Sequence, residues 1–245
     1  MESCIKIVKE LKRKGAINAY VLTGAGISRA SNIPTFRGED GLWEKYNFEE
    51  VATIDAWLKN PTKIWTFYAE GIDLILNAEP NPAHKSITQL QEHGFCKYII
   101  TQNVDNLHQK DGSKDVLEIH GNITRVRCME CNEKQVYTEP LKEIPPMCKC
   151  GGMLRLDVVL FNEQLPYELI NKAFDIAKKA DLVFIVGTSA EVVPAATLPY
   201  ISKKNGAKII IFNKEKTEHV QIADCFITGK CEESLPKFLN MLLNH

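Results

Sequence analysis

Residues 17–26 read INAYVLTGAG, a short run of apolar and β-forming residues that ends abruptly in glycine. A run of this kind indicates a buried strand that leads directly into a tight turn. Similar runs occur at residues 98–101, 182–186 and 208–212, and polar or glycine residues follow each of them. Because helical stretches separate these runs, the sequence predicts an α/β fold with a Rossmann-like, doubly wound parallel sheet. The polar strand ends of such a sheet form a cleft at one edge, where an extended polar ligand can bind.

Helices are predicted where apolar residues recur at helical spacing or where a proline stands at a first helical position. The predicted helices cover residues 2–14, 61–77, 83–92, 166–179, about 194–204 and 233–243. Residues 29–48 are rich in Ser, Asn, Pro, Gly and charged side chains, so we expect them to form a long loop.

The chain has 245 residues, of which 44% are apolar and 25% are charged, and its formal net charge is -1. This length allows one large domain with a small insertion. The charge balance excludes a strongly basic protein that binds nucleic acid by bulk charge, and we expect no direct nucleic-acid binding. No apolar run approaches the ~18 residues that cross a bilayer, and the N-terminus lacks the apolar core of a secretory signal. We therefore expect a soluble cytoplasmic protein that does not bind membranes.

Four of the eight cysteines, Cys128, Cys131, Cys148 and Cys150, fall within one short stretch that has no long apolar run. Two pairs of thiolates can converge on one ion, and four sulfur ligands favour Zn²⁺ in a closed structural site. Two disulfides or unrelated buried thiols are the alternatives. We interpret residues 121–157 as a small zinc-ribbon module inserted into a Rossmann-like domain formed by residues 1–120 and 158–245.

The other four cysteines, Cys4, Cys96, Cys225 and Cys231, have no partner at metal-binding spacing. A chain with no export signal is not expected to depend on a disulfide scaffold. We therefore expect each of these cysteines to be an ordinary small apolar residue.

The turn Gly24-Ala25-Gly26 suggests a dinucleotide-binding loop, but Arg29 stands where the usual fingerprint has its third glycine. By itself the turn is compatible with a cofactor loop or with an ordinary strand-to-helix connection. The segment that follows is too polar to form a core. Arg37 within it suits a phosphate or a ribose through paired hydrogen bonds, or is a solvated loop charge.

Together these motifs resemble those of one family, the sirtuins, which are NAD-dependent protein deacylases. The resemblance is carried, in order, by residues 24–28 (GAGIS), 31–38 (SNIPTFRG), 101–105 (TQNVD), 117–121 (LEIHG), the four clustered cysteines, 187–189 (GTS) and 213–215 (NKE). It covers nearly the whole chain.

The resemblance implies that NAD is the co-substrate and that one Zn²⁺ is a structural ion. It assigns NAD binding to Gly24, Ala25, Gly26, Ser28, Thr35, Phe36, Arg37, Trp43, Gln102, Asn103, Val104, Asp105, Gly187, Thr188, Ser189, Asn213, Lys214, Glu215, Lys230 and Cys231. It implies transfer of the acyl group from acyl-lysine to ADP-ribose, with release of nicotinamide. His120 is implied as the general base, with Asn103 and Asp105 as further catalytic residues. Imidazole suits this role because its unperturbed pKa lies near the working pH.

The chain departs from the family pattern near the implied site. Asn32 and Asn162 replace glycines, and Leu156 replaces a proline. Because asparagine tolerates positive φ better than most residues, we expect both backbones to be retained. The resemblance implies that the substrate contacts Tyr68 and pairs by strand addition with Val158, Val159, Phe161, Asn162 and Glu163.

The acyl preference is predicted from one further position. Sirtuins that prefer succinyl or malonyl groups carry a Tyr-x-x-Arg pair, whereas residues 68–71 of this chain read YAEG. A buried carboxylate without a cation is costly. We therefore expect neutral acyl groups, acetyl first.

Three functions remain open at this point. The first is an NAD-dependent protein-lysine deacetylase that acts on acyl-lysine-containing proteins or peptides. The second is a protein mono-ADP-ribosyltransferase that uses the same NAD site. The third is a non-enzymatic zinc-ribbon module that senses NAD or contacts nucleic acid. The presence of His120 together with Asn103 and Asp105 favours chemistry over sensing.

Overall fold

A computed structural model describes residues 1–15, 17–36 and 41–244. The strands of the described residues are β1 (Ala19–Thr23), β2 (Tyr98–Thr101), β3 (Val116–Glu118), β4 (Gly121–Cys128), β5 (Lys134–Val136), β6 (Leu154–Val158), β7 (Leu182–Val186), β8 (Lys208–Asn213) and β9 (Cys225–Thr228). The helices are α1 (Glu2–Lys14), α2 (Leu42–Lys45), α3 (Phe48–Val51), α4 (Ile54–Lys59), α5 (Pro61–Asn77), α6 (Pro82–Glu92), α7 (Leu107–Lys110), α8 (Tyr167–Lys179), α9 (Leu198–Lys204) and α10 (Cys231–Asn244). Short 3₁₀ helices cover Ala25–Ser31, Ala195–Thr197 and Glu218–Ile222.

The starts of α5 and α6 show how the sequence sets local structure. Each helix begins with a proline at its first position, directly after an asparagine. The Asn60 side chain accepts a hydrogen bond from the backbone N–H of Lys63, and the Asn81 side chain accepts one from that of Ala83. An asparagine cap satisfies a free helical N–H, and proline has no N–H to leave unpaired. These two boundaries were therefore predictable from the sequence.

Within the described residues, six strands form one parallel sheet in the order β3-β2-β1-β7-β8-β9. The predicted α/β fold with a doubly wound parallel sheet is confirmed. The strand order reverses between β1 and β7, and the carboxyl ends of parallel strands on either side of such a point form a crevice. The residues that follow these ends are Gly24 after β1, Gln102 after β2 and Gly187 after β7.

Alternate residues of the central strands support two cores on opposite faces of the sheet. On one face, Val21 and Phe184 pack with residues of α1, α6 and α10. On the other face, Leu22 and Ile185 pack with residues of α8 and α9. Every residue of β1 and β7 is buried, as expected for strands that are covered on both sides.

A smaller antiparallel sheet of β5, β4 and β6 carries the clustered cysteines. Its apolar side chains share a third core with Trp57 of α4 and with Ile64, Trp65 and Ile72 of α5. The indole N–H of Trp65 donates to the Leu154 carbonyl at 2.9 Å and so attaches α5 to β6. The helices α4 and α5, which precede β2 in the chain, thus share one core with the small sheet. The boundary of the small module at residues 121–157 stays a prediction.

Two local predictions were wrong. Residues 29–48 are not one continuous loop, because the 3₁₀ helix Ala25–Ser31, α2 and the start of α3 lie in this segment. Cys4 and Cys225 are not independent apolar residues, because a disulfide joins them, with their Cα atoms 5.6 Å apart. Their separation of 221 residues in sequence left no local pattern from which this pairing could be predicted.

None of the helices in the described part of the chain combines the length and apolar character that a membrane-spanning helix requires.

The turns that follow β1 and β7 lie against each other. A Cβ atom added to Gly26 would lie 2.7 Å from the Gly187 carbonyl oxygen, and one added to Gly187 would contact the backbone N of Ile27. Gly187 also has a φ of +58°, in the left-handed region. The two glycines therefore allow backbone-to-backbone contact at the point where the strand order reverses.

This contact predicts unequal effects for two alanine substitutions at glycines with positive φ. Gly206 has a φ of +94° and open space around its Cα, so we expect Gly206→Ala to lower the free energy of unfolding by about 1 kcal/mol. Gly187→Ala adds a steric clash, and we expect a loss of about 3 kcal/mol. Urea unfolding of both variants measures the difference, and equal losses would contradict the close contact.

Candidate active site

A cavity of about 890 Å³ opens where the turns after β1, β2, β7, β8 and β9 meet the extension of β6. Ligand sites of small molecules commonly have volumes of about 300–1,000 Å³. The cavity lies at the carboxyl edge of the parallel sheet, as the sequence predicted. Its walls come from both sheets, so the cavity lies between the parallel sheet and the smaller antiparallel sheet.

Most of the predicted site residues line this cavity. From the predicted NAD set, these are Gly24, Ala25, Gly26, Thr35, Phe36, Trp43, Gln102, Asn103, Val104, Gly187, Thr188, Ser189, Asn213, Lys214, Glu215, Lys230 and Cys231. From the catalytic and substrate sets, they are His120, Tyr68, Val158, Val159, Phe161, Asn162 and Glu163. Ser28 and Asp105 lie behind the wall rather than on it. Arg37 lies outside the described residues.

The glycine turn leaves room for a ligand against bare backbone. A Cβ atom at Gly24 would lie 2.5 Å from Thr188 Oγ1, so only glycine fits here. Thr188 Oγ1 accepts hydrogen bonds from Gln102 Nε2 at 2.9 Å and from the Ala190 N–H at 2.9 Å. Thr188 thereby links the ends of β2 and β7, and Gly24 at the end of β1 lies against it.

His120 stands at the corner between β3 and β4, on the cavity wall. Its Nδ1 lies 3.1 Å from the carbonyl oxygen of Gln102. Because a carbonyl oxygen only accepts, Nδ1 carries the proton, and the Nε2 lone pair is left to take up another. Burial lowers the pKa of His120 below its ordinary value of 6.5, although the hydrogen bond to Gln102 opposes this shift. The ring is therefore neutral near pH 7 and can act as a base.

The backbone beside His120 is fixed on both sides. Gly121 has a φ of +86°, and a Cβ atom there would collide with the Asp157 carbonyl oxygen. The Val159 N–H donates to the His120 carbonyl at 2.9 Å. Glycine at 121 thus lets β4 approach β6 closely at the point where the imidazole enters the cavity.

A buried polar cluster supports Asn103 from behind. Ser28 Oγ donates to Asp105 Oδ2 at 2.6 Å, and Asn103 Nδ2 donates to Ser28 Oγ at 3.1 Å. The Leu107 N–H donates to Asp105 Oδ1 at 3.0 Å. Burial raises the pKa of Asp105 above its ordinary value, while the hydrogen bonds from Ser28 and Leu107 oppose this shift. Asp105 therefore orients Ser28 and Asn103 rather than facing the cavity itself.

Aromatic side chains form the opposite wall. Trp43 stacks on Phe36 with ring centroids 5.3 Å apart and meets Phe161 edge-on at 6.2 Å. Asn32 and Asn162 have φ angles of 63° and 65°, so both asparagines adopt the left-handed conformation that we expected them to tolerate. Asn162 consequently continues the wall beyond Phe161 without a break in the backbone.

The far end of the cavity is polar. Asn213 Nδ2 donates to the Glu215 carbonyl at 2.9 Å, and the Gly229 N–H donates to the Asn213 carbonyl at 3.1 Å. Cys231 is buried, and burial raises the pKa of its thiol to about 12. The turns after β8 and β9 are thus joined by one backbone hydrogen bond, from Gly229 to Asn213, beside Lys230.

Several wall residues were not predicted from the sequence: Arg29, Ala30, Ala52, Leu160, Leu165, Glu191, Val192, Val193, Gly229 and Glu232. Leu160 and Gly229 are neighbours of predicted residues in the sequence, and this position was the signal that could have found them. Val192 and Val193 follow β7 in a segment whose apolar residues resemble core, and only their three-dimensional position reveals them.

The four clustered cysteines fit a tetrahedral metal site. Their Sγ atoms all lie within 4.8 Å of one another, with Cys128 and Cys150 at 3.5 Å and Cys131 and Cys148 at 3.8 Å. Four thiolates at ~2.3 Å from one Zn²⁺ would be about 3.8 Å apart. Backbone N–H groups of Cys131 and Glu130 lower the pKa of the Cys128 thiol to about 7. Of the alternatives, pairing into disulfides does not occur, since all four are free cysteines.

The parallel sheet, the cavity at its carboxyl edge and the four-cysteine module define a Rossmann-like protein with a small zinc-binding unit. The model of the Sir2 family matches residues 24–194, and the chain belongs to this family. The predicted sirtuin resemblance is therefore confirmed.

Two relatives are named NAD-dependent protein deacylases. The one from Aquifex aeolicus is 49% identical over 228 residues, which cover 92% of this chain and 95% of the relative. The one from Archaeoglobus fulgidus, named NAD-dependent protein deacylase 2, is 47% identical over 245 residues, covering 98% and 96%.

Solved structures are similar across the whole chain. A Sir2 homologue in complex with ADP ribose has a TM-score of 0.93 at 40% identity, covering 100% of this chain and 97% of its own. A Sir2 homologue in complex with NAD has a TM-score of 0.90 at 40% identity, covering 100% and 94%. A Sir2 structure with a p53 peptide and NAD⁺ has a TM-score of 0.85 at 32% identity, covering 100% and 97%.

The cysteine geometry predicts that the metal stabilises the fold. We expect about one zinc ion per chain, and we expect Cys128→Ser to lose it and to lower the free energy of unfolding by about 4 kcal/mol. Cys96→Ser is the matched control, because Cys96 is a buried free cysteine outside the cluster. Elemental analysis and urea unfolding measure both effects. Full zinc content in Cys128→Ser would remove that thiol from the site.

Proposed function

We propose that this chain is an NAD-dependent protein-lysine deacylase that prefers acetyl-lysine. His120 carries this function, because its neutral imidazole lies on the wall of the same cavity as the glycine turn Gly24–Gly26. The names of the relatives and the ligands of the similar structures support the same reading. We propose no direct nucleic-acid binding, because the formal net charge is near zero.

NAD binding is assigned to the turns at the carboxyl edge of the sheet. The backbone of Gly24–Gly26 offers N–H groups to the phosphates, and the Ala25 methyl is the one side chain in this turn. Gln102 and Asn103 offer polar atoms toward the nicotinamide half, while Gly187, Thr188 and Ser189 lie along the adenosine half. Asn213 and Glu215 suit the hydroxyls of the adenosine ribose, and the turn at Lys230 and Cys231 covers the adenine.

NAD supplies the ribose that receives the acyl group as nicotinamide leaves. His120 Nε2 accepts the proton of a ribose hydroxyl, while the Gln102 carbonyl holds Nδ1–H and keeps the ring in the required tautomer. Asn103 is held toward the reacting groups by Ser28 and Asp105. The aromatic wall of Phe36, Trp43 and Phe161 excludes water from the end of the cavity where these groups react.

The acyl-lysine peptide is assigned to the extension of β6. β6 is an edge strand of the smaller sheet, and residues 158–163 continue from it along the cavity. An extended peptide can add to such an edge through backbone hydrogen bonds while its lysine enters the cavity. The similar structure that contains a p53 peptide supports a peptide substrate.

The role of His120 predicts loss of turnover without loss of the ligand site. We expect His120→Ala to lower the rate of peptide deacetylation by at least about 100-fold while the Kd for ADP-ribose changes less than about threefold. His93→Ala, at an exposed histidine far from the cavity wall, is the control and should match the unmodified chain. Turnover retained in His120→Ala would contradict the proposed base.

The same experiment separates deacylation from ADP-ribosyl transfer. Free nicotinamide, deacetylated peptide and ADP-ribosylated protein are quantified with and without an acetyl-lysine peptide. Deacylation predicts peptide-dependent nicotinamide release in equal amount to deacetylated peptide. Nicotinamide release that labels protein and leaves the peptide acetylated would favour mono-ADP-ribosyl transfer instead.

The buried environment of His120 predicts the pH dependence. Because the base must be neutral and burial lowers its pKa below 6.5, activity should hold down to about pH 6.5 and fall only at lower pH. A pH profile of kcat/KM measures this fall in activity at low pH. A midpoint above 6.5 would show that the imidazole is not desolvated in the working enzyme.

The cations near Tyr68 predict the acyl preference. Gly71 offers no charge, and Arg155 is already paired with Glu163 at 2.6 Å and has a side chain only 9% exposed. A succinyl carboxylate would therefore be desolvated without a free partner. We expect kcat/KM for an acetyl-lysine peptide to exceed that for the matched succinyl-lysine peptide by at least about tenfold. Faster turnover of the succinyl-lysine peptide than of the acetyl-lysine peptide would contradict the preference.

A further inference from the structure

The disulfide between Cys4 and Cys225 joins two elements that the proposed reaction does not use directly. Cys4 lies in the first turn of α1, and Cys225 is the first residue of β9. β9 is an edge strand that pairs only with β8 among the described strands. α1 packs against the face of the sheet that carries Cys225 and Ile227, and it is covalently attached to Cys225.

The two cysteines differ in exposure. Cys4 is completely buried, with 0% of its surface exposed, whereas Cys225 is partly exposed. Ser3 Oγ lies 3.6 Å from Cys225 Sγ. We therefore expect a dissolved thiol or disulfide to react at Cys225 and not at Cys4.

The remaining cysteines do not compete with this pair. Cys128, Cys131, Cys148 and Cys150 converge on the metal site. Cys96 and Cys231 are buried, and burial raises the pKa of each thiol to about 12, which keeps both in the unreactive thiol form. Among the described residues, Cys4 and Cys225 are thus the pair that is free for exchange chemistry.

We propose that Cys4 and Cys225 form a reversible thiol–disulfide exchange site whose reactants are low-molecular-weight thiols and disulfides. For oxidation, the Cys225 thiolate attacks a disulfide RSSR, forms Cys225–S–S–R and expels RS⁻. The Cys4 thiolate then attacks Cys225 Sγ and expels the second RS⁻. Two protein thiols and one RSSR become one protein disulfide and two RSH. Reduction runs backwards, beginning with RS⁻ at Cys225 because Cys4 is out of reach.

The disulfide links α1 to the strand that leads into the cavity wall. Thr228 ends β9, and Gly229, Lys230 and Cys231 follow it along the cavity. A crosslink across 221 residues removes much conformational freedom from the unfolded chain. Reduction should therefore lower Tm by about 5 °C or more in a chain of this size.

Glutathione tests the exchange directly on the zinc-loaded full chain. The protein is equilibrated with reduced glutathione or with glutathione disulfide. Free thiols are then alkylated, and the masses of the tryptic peptides are measured by mass spectrometry. Cleavage after Lys6, Lys216 and Lys230 places Cys4 in peptide 1–6 and Cys225 in peptide 217–230, separate from Cys231. We expect the two peptides to be crosslinked after glutathione disulfide and separate after reduced glutathione.

Single substitutions give opposite results if the mechanism is right. Cys4→Ser should trap one glutathionyl group on peptide 217–230, because no second thiol can expel it. Cys225→Ser should carry no glutathionyl group on peptide 1–6, because Cys4 is inaccessible. Cys96→Ser is the control and should behave as the unmodified chain.

Tm of the unmodified chain, oxidised and reduced, provides a measurement that needs no variant. A Tm that differs between the two forms supports the crosslink, and equal values overturn its stabilising role. Absence of the crosslinked peptide, or an adduct on Cys4 rather than on Cys225, would sink the exchange site.

Discussion

Backbone contact between the turns after β1 and β7 is the constraint on which the site depends. Gly26 lies against the Gly187 carbonyl, and Gly24 lies against Thr188. A side chain on any of these glycines would push the two strand ends apart or fill the space above them. Because the strand order reverses at this point, the same lack of side chains that lets the strands meet also opens the cavity.

The second constraint is the joining of the two sheets at His120. The residue belongs to the segment between β3 of the parallel sheet and β4 of the smaller sheet. On one side Gln102 binds its ring, and on the other Val159 binds its carbonyl. The residue is therefore held by hydrogen bonds from both sides, one at its ring and one at its backbone, and its position depends on how the two sheets pack. The metal site acts on this geometry indirectly, since its cysteines lie at the end of β4 and just before β6.

The environment of the site also decides which charges can act in it. Burial makes His120 a weaker base but keeps it neutral, while Asp105 is turned toward Ser28 and the Leu107 N–H. Arg155, a buried cation near the acyl end, is neutralised by Glu163. Asp105 and Arg155 are thus paired behind the wall, while Phe36, Trp43 and Phe161 give the proposed acyl end a neutral aromatic lining. Such a lining favours transfer of a neutral acyl group over binding of an acidic one.

Local signals in the sequence predicted the strands β1, β2, β7 and β8, the six longest helices and the cysteine cluster. These signals are continuous apolar runs, proline at a helix start and cysteine spacing. Most of the cavity wall was instead implied by the resemblance to the sirtuins. The folded structure was needed to find the Cys4–Cys225 disulfide, the core shared by α4, α5 and the small sheet, and the wall positions of Val192 and Val193. It also showed that Ser28 and Asp105 lie behind Asn103. The reason is that such contacts join residues far apart in the chain, and their distances depend on the packing of whole elements rather than on any short stretch of sequence.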